Sequence, residues 1–182
     1  MELKLPQNPE PEPKPAPKGK RKTAKNAEQQ QETGAAQLPQ NEELPPSPPP
    51  PGVKRILIID DNVMILHNHK FFLEKYGFQV LEAVNGRNGI DKLAYYGPES
   101  FSLVIVDLNM PVMGGEEFVS KAAERFPGKM PPIWVCTVLA DSEIVKTLLA
   151  KGIAGYLLKP VQLRIFATRL QAQFPDMEIR IP

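Results

Sequence analysis

The sequence predicts an α/β domain, a doubly wound sheet of five parallel strands with helices on both faces, preceded by a disordered Pro-rich tail. Three observations carry this. From Val53 onward, short apolar runs alternate with longer amphipathic stretches, five of each over roughly 120 residues. Four of the runs are nearly continuously apolar, as strands covered on both faces must be. Ahead of them, residues 1–52 hold 13 of the 21 prolines and no aromatic side chain, so that segment cannot bury enough apolar area to offset its ordering entropy.

The elements follow in order. Strands are expected at Arg55–Ile59, Gln79–Ala83, Leu103–Val106, Ile133–Thr137 and Gly155–Leu158. Helices are expected at Val63–Tyr76, Gly86–Tyr95, Gly115–Arg125, Ser142–Ala150 and Gln162–Gln173. Gly77 follows the first helix where a terminating glycine belongs. Gly97-Pro98 stops the second, Pro127-Gly128 the third and Gly152 the fourth. Asp141 suits the N-cap before Ser142. Right-handed crossovers then put helices on both faces of one sheet. The expected domains are a tail over 1–52, a folded unit over 53–174 and a short C-terminal tail over 175–182.

The tail is not uniform. Pro9 to Pro17 alternates proline with other residues and favours extended polyproline II. Lys18 to Lys25 is a short basic cluster, and Pro45 to Pro51 is a stiff spacer of about 3.1 Å per residue. Seven basic residues there are balanced by seven acidic ones, which reads as a solvated polyampholyte. The whole chain carries a net charge of +1, giving no argument for non-specific nucleic-acid binding. A single cysteine, Cys136, excludes an internal disulfide and fits a reducing compartment. No apolar run approaches the roughly 18 residues of a membrane span, and the N-terminus lacks the apolar core of a signal peptide. The expectation is a cytoplasmic protein without membrane insertion.

The polar residues that close the apolar runs carry the chemistry. Asp60-Asp61 ends the first, Asp107 the third, Thr137 the fourth, and Lys159-Pro160 follows the fifth. In an open parallel sheet the C-terminal strand ends share one edge, where such folds bind ligands. Three carboxylates, a hydroxyl and an ammonium converging there suit a divalent cation and a phosphoryl group.

In order, the segments Ile58-Ile59-Asp60-Asp61-Asn62, Val106-Asp107-Leu108-Asn109-Met110-Pro111-Val112-Met113-Gly114-Gly115, Val135-Cys136-Thr137 and Gly155-Tyr156-Leu157-Leu158-Lys159-Pro160 closely resemble the receiver domain of two-component response regulators. The resemblance spans about Lys54 to Gln173 and is closest to the single-domain, chemotaxis-regulator type. It implies a flavodoxin-like strand order 2-1-3-4-5. It also implies that Asp107 is the phosphoacceptor and that Mg²⁺ is held by Asp60, Asp61, Asp107 and the backbone carbonyl of Asn109. Asp61 would bind the metal directly and Asp60 largely through water. Lys159 becomes the phosphate's cationic partner, with a cis peptide to Pro160. Thr137 and Tyr156 become a switch pair, which reshapes the face made by the fourth helix, fifth strand and fifth helix. Val138 departs from the small residue usual after the threonine, so slower phosphorylation or dephosphorylation is expected.

Partners implied are a sensor histidine kinase or phosphotransfer protein and a downstream target protein, with homodimerisation through the switched face left open. Only about nine residues, Phe174 to Pro182, follow the last helix, so output is expected through protein contact and not through an appended DNA-binding or enzyme domain. A docking or scaffold role in which the tail carries the function is the alternative. Gly114-Gly115-Glu116-Glu117-Phe118 spells the signature of diguanylate cyclases, but here it opens a helix. A stoichiometric phosphoacceptor is expected, not an enzyme. Cys136 reads as a small buried hydrophobe. His67 and His69, two apart on the first helix, cannot share a face and read as solvent-facing or partly packed.

Overall fold

Short, continuously apolar runs bury themselves as strands covered on both faces, and the computed structural model of the chain shows them within one five-stranded sheet. It describes residues 49–138 and 142–180. The strands are β1 (Arg55–Ile59), β2 (Gln79–Ala83), β3 (Leu103–Asp107), β4 (Ile133–Thr137) and β5 (Gly155–Leu158). They form one sheet in the order β2-β1-β3-β4-β5, and every neighbouring pair is parallel. The helices are α1 (Val63–Glu74), α2 (Gly86–Tyr96), α3 (Gly115–Arg125), α4 (Ser142–Ala150) and α5 (Leu163–Gln173). A short 3₁₀ turn, Pro98–Ser100, joins α2 to β3. It was not legible in the sequence beyond the Gly97-Pro98 stop. The N-cap expected at Asp141 and the tail features before residue 49 lie outside the described residues.

Period-two alternation divides the core. Ile56 and Ile58 face a layer with Phe72 and Leu73 of α1 and Phe166 and Leu170 of α5. Leu57 and Ile59 face the opposite layer, with Leu93 of α2, Phe118 and Val119 of α3 and Leu148 of α4. Asn62 caps α1, its side-chain oxygen accepting the N–H groups of Met64 and Ile65 at 3.0 and 3.4 Å. Gly77 takes φ of 82°, which lets the chain leave α1 and enter β2.

Two regions differ from expectation. His69, expected as solvent-facing or partly packed, is buried, with its ring 5.3 Å from that of Phe166. Residues 175–180, expected as a short tail, lie against the α1–α5 layer. Ile179 is buried there, and the Gln171 amide binds three backbone groups, the Ile179 N–H at 2.9 Å and the Met177 and Phe174 carbonyls at 2.9 and 3.5 Å. Tyr76 Oη donates to the Arg180 carbonyl at 2.7 Å.

Burial holds the His69 imidazole below its usual pKa; Asp60 pulls weakly the other way and Lys159 adds to the lowering. A depressed histidine contributes stability above its unfolded pKa, which is lost as pH falls. Thermal unfolding temperature should therefore drop below about pH 6.5, and His69→Phe should flatten that slope. A pH series of melting curves on both proteins checks this.

Candidate functional site

The strand order brings the C-terminal ends of β1, β3, β4 and β5 side by side, and four polar residues sit there. Asp60 follows β1. Its backbone N–H donates to the Ala83 carbonyl at 3.1 Å, and its Oδ1 accepts the Asn62 N–H at 2.9 Å. Asp107 ends β3, and the next residue, Leu108, donates to the Cys136 carbonyl at 3.1 Å. Thr137 ends β4 and is buried; its carbonyl accepts the Lys159 N–H at 2.8 Å. The Lys159–Pro160 peptide is cis.

Lys159 bridges the cleft. Its Nζ lies 2.7 Å from Asp60 Oδ2 and 3.0 Å from Asp107 Oδ2. The three side chains are 13, 4 and 8 % exposed respectively, so water screens them little. Burial raises the Asp107 carboxyl above its usual pKa. Lys159 and the backbone N–H of Asn109 oppose that without cancelling it. Burial is also the largest influence on Lys159 and lowers it, yet hydrogen bonds and attraction from both carboxylates outweigh this and leave its pKa raised.

Asp61 is the exposed member of the acidic group. Asp60, Asp61 and Asp107 each offer an oxygen within 4.8 Å of the others. Three hard carboxylate oxygens, one facing water, match the donor set of a hard divalent cation that keeps part of its hydration. A metal can therefore be held here. Asn109, two residues past Asp107, is exposed on the β3–α3 loop.

The remaining sequence candidates are placed as follows. Tyr156 is half-buried on β5 in register with Val135, with the Arg169 guanidinium 5.6 Å from its ring centre. Val138, just past β4, is exposed. Cys136 is buried, and burial pushes its thiol up to about 12, so it is no nucleophile near neutral pH. Gly114 is the N-cap of α3, and Gly115 to Phe118 form its first turn with Phe118 fully buried. The cyclase-like letters are therefore a helix start and its apolar face.

Gly115 serves the site through its missing side chain. A Cβ there would overlap the backbone carbonyl of Asp107. Gly115→Ala should lower stability by about 1–3 kcal/mol through this overpacking, measured by urea unfolding. The sequence placed this glycine in a motif and at the start of a helix, without its close approach to the Asp107 carbonyl. The Asn62 cap also escaped notice, because it depends on backbone geometry.

Comparison with known proteins agrees with the geometry. The family model of the response regulator receiver domain matches residues 56–171. The transcriptional regulatory protein CrdR of Helicobacter pylori is 30 % identical over 128 residues, 70 % of this chain and 58 % of CrdR. The chemotaxis protein CheY of Thermotoga maritima is 29 % identical over 110 residues, 60 % of this chain and 88 % of CheY. The solved structure of Vibrio cholerae CheY4 superposes with a TM-score of 0.60 at 30 % identity, covering 66 % of this chain and 98 % of CheY4. Several relatives are longer. The chain spans just over half of CrdR and 29 % of a Thermotoga maritima cyclic di-GMP phosphodiesterase. Among the described residues, no helix is long and apolar enough to cross a membrane. With the family model matching well over half its length, five parallel strands in the order 2-1-3-4-5 and an acidic cluster at their C-terminal edge, the chain belongs to the response regulator receiver domains of two-component signalling.

Proposed function

We propose that Asp107 accepts a phosphoryl group from a phosphohistidine of a sensor kinase or phosphotransfer protein, and that the acyl phosphate changes which protein this domain binds. The observation that carries this is the Lys159 ammonium, held between Asp60 and Asp107 at a cleft where three carboxylates converge. One Asp107 oxygen attacks phosphorus, the P–N bond to the histidine breaks, and the leaving imidazole takes up a proton. Lys159 then transfers its contact from the carboxylate to a phosphoryl oxygen, as a compact point charge can. Asp60, Asp61, Asp107 and the Asn109 carbonyl would hold Mg²⁺. When bound, the ion offsets carboxylate repulsion and the charge on the transferred oxygens.

Thr137 sits one strand over from Asp107 and supplies the hydroxyl that turns to the new phosphoryl oxygen. Tyr156 follows inward, and the α4–β5–α5 face changes shape. Ile144, Leu149 and Leu158 are exposed apolar side chains of α4 and β5, suited to a downstream protein or a second copy. This is a two-state equilibrium biased by one modification. Val138, exposed just past β4, slows phosphorylation or dephosphorylation.

Phosphotransfer from a panel of purified histidine kinases tests the proposal. Label should pass from a cognate kinase to the full chain and to a version lacking residues 1–52, and chelation by EDTA should prevent both. Failure of every kinase would remove the phosphorelay reading. Loss of transfer on truncation alone would give the function to the tail.

A further inference from the structure

Among the described residues, Val112 is the one non-glycine with positive φ, 69°. A β-branched side chain is strained in that region. Its neighbours close a γ-turn, with the Met113 N–H donating to the Pro111 carbonyl at 2.8 Å. A γ-turn with positive φ at its centre is the rare, strained form. Such conformations persist only where the surroundings over-determine them.

The surroundings here are specific. Val112 is 79 % exposed, so its side chain gains nothing by packing, whereas Met113 is 3 % exposed beneath the loop. The Met113 carbonyl accepts the N–H of Gly86, the first residue of α2, at 3.0 Å. A Cβ on Gly86 would meet both Met113 Cγ and that carbonyl at 2.8 Å. The contact is therefore as close as a glycine permits. The clasped loop is the one that carries Asn109, two residues past Asp107. Its far end is closed by Gly115 N–H donating to the Leu108 carbonyl at 2.9 Å.

We propose that Met113 is a positioning residue: its clasp on Gly86 holds the strained turn at Val112 shut and so keeps the Asn109 backbone against the acidic cluster. Strain at Val112 pushes the loop open and burial of Met113 holds it closed. The two residues are therefore coupled, and relieving the strain makes the clasp dispensable. The proposal rests on Asp60, Asp61 and Asp107 as the cation site.

Four proteins test it: wild type, Met113→Ala, Val112→Gly and the double variant. Each is titrated with Mg²⁺ by calorimetry, and exchange of the Gly86 amide is followed without metal. Met113→Ala should weaken Mg²⁺ binding about tenfold, the scale of losses seen when supporting groups around a metal are removed. It should also speed Gly86 exchange. Val112→Gly alone should bind like wild type, and the double variant should recover most of the loss. Gly86→Ala disturbs the same contact from α2 and should show the same weakening and the same rescue, which covers a Met113 variant that does not fold. Unchanged affinity in Met113→Ala and Gly86→Ala, or no rescue by Val112→Gly, would overturn the proposal. A wild type that binds no Mg²⁺ would sink the cation site itself. Unchanged Gly86 exchange in Met113→Ala would then sink the clasp separately.

Discussion

Lys159→Met should cost about 3–5 kcal/mol of stability at neutral pH in metal-free buffer, the usual penalty for breaking a buried ion pair from one side. The wild-type ammonium lies 2.7 and 3.0 Å from carboxylates of two strand ends, and all three groups are largely shielded from water. Methionine keeps the length of the stem and removes the charge, leaving Asp60 and Asp107 facing each other. Burial already holds the Asp107 carboxyl above its ordinary pKa, and the opposing pull of Lys159 is lost. A carboxyl raised in the folded state is tolerated while protonated and becomes destabilising as pH rises through its folded pKa. The deficit should therefore shrink as pH is lowered and the Asp107 carboxyl takes up its proton. In the wild type, the raised Lys159 contributes stability that is lost only as pH climbs past its folded value, above 10.5. Mg²⁺ should restore part of the variant's stability by supplying the missing positive charge. Urea unfolding across pH, with and without Mg²⁺, reads all of this. A loss under about 1 kcal/mol at every pH would mean the pair is solvent-screened like a surface bridge.

Phe166→Ala should cost a comparable 3–5 kcal/mol, roughly the penalty for emptying a filled aromatic site. Phe166 is fully buried at the centre of the α1–α5 layer. Its ring lies 5.4 Å from Phe72 in a stacked arrangement, 5.3 Å from His69 and 6.5 Å from Trp134. It thus joins α5 to α1 and to β4 at once. The other buried residues of α5 are Ala167 and Leu170, too few to replace it. Trp134 is the single tryptophan of the chain and is itself buried, so its fluorescence follows unfolding directly. A loss below about 1 kcal/mol would show that α5 is held mainly by its other contacts.

Much of this fold was legible because three of its strands, β1, β3 and β4, are central. Ile56 to Ile59 and Leu103 to Val106 are apolar at every position, a pattern that a half-exposed strand or surface helix does not show. Acidic and basic residues placed just after such runs could be assigned to one sheet edge before any distance was known. The resemblance to receiver domains added the strand order and the residue roles. What stayed hidden depends on three-dimensional neighbours. His69 is polar by composition, yet the Phe166 ring across the layer buries it. Residues 175–180 look like a polar end, yet Gln171 pins their backbone and Ile179 fills the core edge. Val112 sits in a loop with no periodicity, so its positive φ had no signature in the sequence. Helix ends shifted by a residue or two at Glu74 and Tyr96, where capping geometry decides and apolar pattern does not.

The most direct measurement is intact mass after incubation with Mg²⁺ and acetyl phosphate, on the wild type beside Asp107→Asn. The wild type should gain one phosphoryl group, only with the metal present, and the variant should gain none. A gain that survives in Asp107→Asn would place the acceptor elsewhere, and a gain that ignores the metal would contradict the cation's part in the site.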